Sequence, residues 1–254
     1  MEAGAIMEMV RREQEKYRNS PTSTLTFAKL EDYGLGGVDC DVCENKGYVV
    51  WLNEDGIAES RECECMAKRR SLRKIRESGM SDMIERYTFD TFETPDEQRE
   101  KIKNGAERFA NCDTGWMYIY GRSGSGKTHI CTAVCVELIA RGIEVYYMSW
   151  RDESTAIKGM VMDSELYARK IRKFKTVLVL YIDDFFKGGH TDADVRLAFE
   201  ILNARYNDTK LRTIISSEMS VSQLISIDEA LGGRIYERSR GNVINTPDMN
   251  WRLR

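Results

Sequence analysis

Apolar positions along this chain follow two repeating patterns. Four runs are short and nearly continuous: Trp116 to Tyr120, Ile143 to Ser149, Val177 to Ile182, and Arg212 to Glu218 around Ile214-Ile215. Rich in β-branched and aromatic residues, they predict strands buried on both faces. Between them the spacing turns helical. Lys127 to Arg141 predicts a helix closed by Gly142, and Val195, Ala198, Phe199, Leu202 and Tyr206 recur at helical intervals behind Thr191-Asp192, which reads as an N-cap. A fifth strand is expected at Asn242 to Thr246. Strands and helices alternate, so the expected fold class is α/β, a parallel sheet flanked by helices.

The N-terminal third reads differently. Ile6, Met9, Val10 and Tyr17 form a weak helical stripe closed by Ser20-Pro21, as in a short arm. Further on, Gly47 to Leu52 and the residues after Ile57 flank Asn53-Glu-Asp-Gly56, a β-hairpin signature. Charge divides this region. Ala28 to Cys65 holds ten acidic residues against three basic ones, so it should repel phosphate, whereas six of the nine residues from Lys68 to Arg76 are basic and none is acidic.

Across all 254 residues, 38 Lys and Arg nearly balance 41 Asp and Glu, and 42% of residues are apolar. That composition supplies a core and excludes a uniformly basic nucleic-acid coat. The longest apolar run falls far short of the roughly 20 residues that span a bilayer, and the N-terminus is charged where a signal peptide is apolar. A cytoplasmic protein without a membrane partner is expected.

Gly121-Arg-Ser123-Gly124-Ser125-Gly126-Lys127-Thr128 matches GxxxxGK[ST] between a predicted strand and a predicted helix, the context this motif requires. Its glycines let backbone N–H groups turn inward around phosphates; Lys127 reaches the β and γ phosphates of ATP, and Thr128 ligates Mg²⁺. The run Leu178 to Asp184 supplies the acidic partners, Asp183 for Mg²⁺ and Asp184 to orient or deprotonate the attacking water. Many proteins of the wider AAA+ class carry Glu there, and the shorter Asp predicts slow or partner-dependent turnover. Ser216, Ser217 and Glu218 end the next strand where the γ-phosphate is read. Ser217 is the preferred reader, because a carboxylate facing phosphate is repulsive. Arg234 and Arg238 lie four residues apart on one helical face, a display suited to an arginine finger entering a neighbouring subunit. Only 36 residues follow Glu218, which predicts no separate helical lid and leaves Arg252 as a C-terminal substitute sensor.

Cys40-x₂-Cys43 and Cys63-x-Cys65 are 19 residues apart, enough for a hairpin that unites both pairs. Four soft thiolates suit tetrahedral, structural Zn²⁺; an iron–sulfur cluster and unliganded thiols are the competing readings. Cys131 and Cys135 read as core residues, and Cys112 has no partner at ligand spacing.

The cysteine knuckle, the basic stretch, Tyr87-Thr-Phe-Asp-Thr-Phe-Glu93, the phosphate loop, the Asp183-Asp184 pair and the paired arginines occur here in one order. Together they resemble bacterial and phage helicase loaders of the DnaC/DnaI type, within the group that includes IstB-like ATPases. The resemblance implies an AAA+ ATPase that delivers a replicative DnaB-type helicase onto single-stranded DNA and self-associates on ATP or DNA. The resemblance covers about residues 38 to 254; with the charge pattern and the N-terminal stripe it gives four expected regions, an N-terminal arm (1–27), a zinc-binding helicase-interaction domain (28–66), a basic linker (67–88) and an AAA+ domain (89–254). Arg234 and Arg238 match the family's paired arginines, Arg252 its C-terminal arginine, and Phe89 and Phe92 its base pocket. Glu218 departs from the Asn common at the sensor position. Arg169 to Lys175, with Trp150 and Arg151, are the DNA contacts expected from basic and aromatic character. Two other functions share parts of this pattern. An IstB-like regulator of transposition needs no cysteine knuckle, and a zinc-containing DNA-binding adaptor would bind ATP without hydrolysing it.

Overall fold

The computed structural model describes residues 40–53, 55, 57–75, 81–246 and 250, so the expected arm at 1–27 lies outside the described residues. The chain divides into two compact units, with the boundary after Arg73. In the first, β1 (Tyr48–Leu52) and β2 (Ala58–Glu62) pair antiparallel, Tyr48 opposite Glu62 and Leu52 opposite Ala58. The Asn53 side chain closes the turn by accepting from the N–H groups of Asp55 and Ile57. Helix α1 (Cys65–Ile75) follows at once.

The second unit runs α2 (Ser81–Arg86), α3 (Glu97–Ala110), β3 (Trp116–Tyr120), α4 (Lys127–Ala140), β4 (Val145–Ser149), α5 (Trp150–Gly159), α6 (Ser164–Thr176), β5 (Val179–Phe185), α7 (Asp192–Asn207), β6 (Arg212–Ser217), α8 (Val221–Ile227), α9 (Glu229–Arg238) and β7 (Val243–Asn245). The five strands form one parallel sheet in the order β4-β5-β6-β3-β7. Helices α3 and α4 cover one face and α5, α6, α7 and α9 the other. The sheet is therefore the expected α/β sandwich. Strand β5 differs from expectation at both ends. Val177 caps α6, its N–H bonded to the Lys173 carbonyl, which delays the strand to Val179, and the strand runs on past both aspartates to Phe185.

Side-chain alternation sorts β5 by function. Leu180 and Ile182 enter a core with Trp116, Tyr118, Phe174, Leu202 and Ile235, each contributing about 1.5–3 kcal/mol by burial. Tyr181 and Asp183 point to the opposite face. Local signals hold the helices in place. Thr191 and Asp194 form a reciprocal capping box at the start of α7. Arg205 on α7 is fully buried and charged; its guanidinium donates to Thr213 Oγ1 and to the carbonyls of Phe174, Val177 and Arg212. The α6 end thus receives the cation its exposed carbonyls favour, and burial lowers the arginine only to about 9.

Candidate functional site

The segment Gly121 to Gly126 links the end of β3 to α4. Gly121, Gly124 and Gly126 adopt φ of 145°, 79° and 93°, values that L side chains rarely adopt. A Cβ at Gly121 would also collide with Thr246, and one at Gly124 with Asn250. The loop is anchored by Ser125 Oγ against Thr246 Oγ1 at 2.6 Å, while Ser123 is exposed at its tip. Lys127 Nζ donates to the carbonyls of Gly121 and Arg122, both at 2.8 Å. Burial lowers its pKa, opposed by the nearby carboxylates of Glu218 and Asp184. An ammonium so placed beside a glycine-rich turn at a helix start suits phosphate.

The acidic partners sit on a β-bulge. Ile182 pairs with Ile215 and Phe185 with Ser217, so Asp183 and Asp184 together oppose Ser216. The bulge gives the two neighbours different environments. Asp183 is 5% exposed, and three hydroxyls converge on its Oδ1: Tyr181 at 2.6 Å, Ser216, and Thr128 at 3.4 Å. Tyr147 reaches Oδ2 at 3.3 Å. Burial raises the Asp183 pKa, and the hydroxyl donors oppose the rise. Asp184 has φ 54°, a left-handed backbone, and its N–H is held by Ser216 Oγ at 3.0 Å. Its carboxylate is about one-third exposed and pairs with Lys187 Nζ at 2.8 Å. Thr128 and Asp183 therefore offer hard oxygen ligands side by side, the donor set that suits Mg²⁺.

Three sequence expectations change here. Ser217 is fully buried, donates to the Phe185 carbonyl and accepts from the Met219 N–H, so its hydroxyl fastens two strands instead of facing a phosphate. Its neighbour Ser216 touches the aspartates. Trp150 is buried edge-on against Phe185 and Phe186, which removes it as a base-stacking surface. Within Arg169 to Lys175, Lys170 pairs with Glu153 and Lys175 with Glu200, leaving Arg169 and Arg172 as the exposed arginines of that segment.

Arg238 lies 3.2 Å from the Thr209 carbonyl and 3.4 Å from that of Leu211, over the Trp116 ring. Arg234 bonds the Ala230 carbonyl and covers Phe199 and Tyr206. Arg252 lies outside the described residues. Phe92 is buried beneath the Arg99 guanidinium and edge-on to His129, on which Tyr87 stacks at 4.6 Å. Glu218 is exposed, 4.0 Å from Lys187. Tyr147, Tyr181, Lys187, Arg99 and His129 join the site without belonging to a sequence motif, and of these only Tyr181 carries a local signal, its spacing of two from Asp183 within a strand.

In the first unit the sulfurs of Cys40, Cys43, Cys63 and Cys65 all lie within 4.8 Å of one another. Cys40 and Cys63 are 3.7 Å apart, Cys43 and Cys65 3.5 Å. Four sulfurs around zinc at 2.3 Å stand about 3.8 Å apart, so the cluster fits that ion. The hairpin positions it: the Cys63 N–H bonds the Gly47 carbonyl at 2.8 Å, and Glu44 and Asn45 turn the first knuckle through positive φ. Burial raises the thiols of Cys63 and Cys65, whereas hydrogen bonding around Cys40 brings it to about 7. No helix among the described residues is long and apolar enough to cross a membrane.

The profile of the IstB-like ATP binding protein family matches residues 54–242. The phage-like element PBSX protein XkdC of Bacillus subtilis is 31% identical over 216 residues, covering 78% of this chain and 79% of that protein. Among solved structures, DnaI superposes with a TM-score of 0.55 at 22% identity, over 66% of this chain and 92% of its own. The DnaC helicase loader gives 0.57 at 21% identity, over 63% of this chain and 97% of its own.

Proposed function

Because the chain belongs to the IstB-like ATP-binding protein family, we propose that it is an ATPase loading a replicative DnaB-type helicase onto single-stranded DNA, with slow turnover that its partners stimulate. The observation that carries the enzymatic part is the bulge. It buries Asp183 beside Thr128 and leaves Asp184 partly exposed within electrostatic reach of Lys127.

ATP phosphates rest on the N–H groups of the 121–128 turn, and Lys127 exchanges the Gly121 and Arg122 carbonyls for phosphate oxygens. Thr128 and Asp183 hold Mg²⁺, which neutralises phosphate charge when bound. Asp184 accepts a hydrogen bond from the attacking water and orients it. Arg238 and Arg234 serve a neighbouring subunit after exchanging their carbonyl and ring contacts for its γ-phosphate. Arg169, Arg172 and Arg151 give single-stranded DNA a basic surface. Cys40, Cys43, Cys63 and Cys65 hold Zn²⁺ in a structural role, and their acidic surroundings make that unit a protein-binding head.

Helicase loading is supported by the fold shared with a helicase loader and by a four-cysteine knuckle joined to an ATP-binding domain. An IstB-like regulator of transposition is the second reading, because the matching family is described as IstB-like and ATP-binding. Phosphate release by the intact chain alone, with single-stranded DNA and with the host replicative helicase separates these readings. Loading predicts that helicase co-precipitates with the chain and raises turnover. A chain that ignores helicase but responds to a transposase fits the second reading.

A further inference from the structure

We propose that Lys187 is a positioning residue that holds Asp184 back from the attacking water and thereby sets the basal rate of this ATPase. The inference rests on the nucleotide-site reading above and assigns that site a built-in restraint. Lys187 Nζ lies 2.8 Å from Oδ2 of Asp184 and 4.0 Å from Oε1 of Glu218. A carboxylate that orients water must turn an oxygen toward it and stay basic, and an ammonium paired with Oδ2 both restricts that turn and draws charge from the group.

The backbone makes this pairing local. The Lys187 N–H bonds the Asp184 carbonyl at 3.0 Å, closing a turn that brings the two side chains together. Asp184 and Phe186 both take left-handed conformations, φ 54° and 57°. Such residues persist only where their surroundings over-determine them. Here Ser216 fixes the Asp184 N–H, and Phe186 is buried, stacked on Phe185 with ring centroids 4.0 Å apart. The turn is thus gripped at both ends, while the Asp184 and Lys187 side chains lie at the surface. Each is about one-third exposed, so the pair is weak and screened by salt. It lowers a rate by about fivefold at most and can be released without unfolding anything.

Steady-state phosphate release and fluorescent-nucleotide binding on the full-length chain test the assignment with K187Q and K187R. The expected result is a kcat for K187Q about threefold to fivefold above wild type, with KM for ATP within about twofold. Raising salt from about 0.05 M to about 0.5 M should lift wild-type kcat toward the K187Q value and leave K187Q unmoved. K187R, which restores the cation, should return the low rate and its salt response. A fall in kcat for K187Q overturns the proposal, because Lys187 would then serve the phosphates. So does an equal rise in K187R, or bound nucleotide with unchanged kcat in every variant. Failure of wild type and variants alike to bind nucleotide would instead defeat the ATPase reading itself. Thermal melting of K187Q at the wild-type temperature shows that the fold is intact.

Discussion

Tyr181 donates a 2.6 Å hydrogen bond to Asp183 two residues further along the same strand, and β4 places Tyr147 beside it to reach the other carboxylate oxygen. Burial pushes the Tyr181 phenol well up, so it remains a protonated donor at any working pH. The two rings meet at 5.3 Å and fix the carboxylate that Thr128 shares. Removing only the donor, as in Tyr181→Phe, should weaken Mg²⁺ binding to the nucleotide complex by about tenfold while metal-free nucleotide affinity stays the same. A Mg²⁺ titration of bound fluorescent nucleotide checks this. An unchanged midpoint would leave Tyr181 a packing residue.

The phosphate loop, the aspartate pair, the sheet strands and the cysteine pairs were legible in the sequence because each is carried by local spacing. What was not legible depends on register. A reading of 216–218 as one polar strand end cannot tell Ser216 from Ser217; the bulge opposite them decides which hydroxyl meets the aspartates. Trp150 follows β4 directly and looked like an exposed aromatic near basic residues. Phe185 and Phe186, 35 and 36 positions later, bury it. Tyr147 became part of the site only through strand pairing.

For the cysteine cluster, elemental analysis should find about one zinc per chain. Chelation or Cys65→Ser should unfold the first unit, seen as lost hairpin protection in hydrogen exchange, while nucleotide binding by the second unit survives. Iron in the sample, or a folded metal-free unit, would contradict the zinc assignment.

Asp194 gives a stability prediction with a sign. Burial pushes its pKa up, but the hydrogen bonds from Lys158 and Thr191 outweigh this and leave it below the ordinary carboxylate value. Its stabilisation is therefore complete above the ordinary carboxylate range and is lost as pH falls through the depressed value. Asp194→Asn should cost about 1–2 kcal/mol at neutral pH, and the difference from wild type should shrink through that acid window in denaturant melts. A pH-independent difference would assign the effect to packing.

Arg238→Ala should bind ATP normally and hydrolyse it about 10³-fold more slowly if the guanidinium completes a neighbour's site. Mixing it with Lys127→Ala chains should restore part of the rate at shared interfaces. Because Arg238 also contacts the carbonyls of Thr209 and Leu211, thermal melts belong with this test. Loss of activity that tracks loss of folding, with no rescue on mixing, would confine Arg238 to its own chain.

The most direct measurement of the whole account is deposition of the host replicative helicase on closed circular single-stranded DNA, which offers no end to thread. Wild-type chain with ATP should place helicase on the circle. Lys127→Ala, lacking the cation that faces the phosphates, should leave it in solution. Helicase loaded equally well by Lys127→Ala, or not loaded by wild type at all, would contradict an ATP-dependent loader.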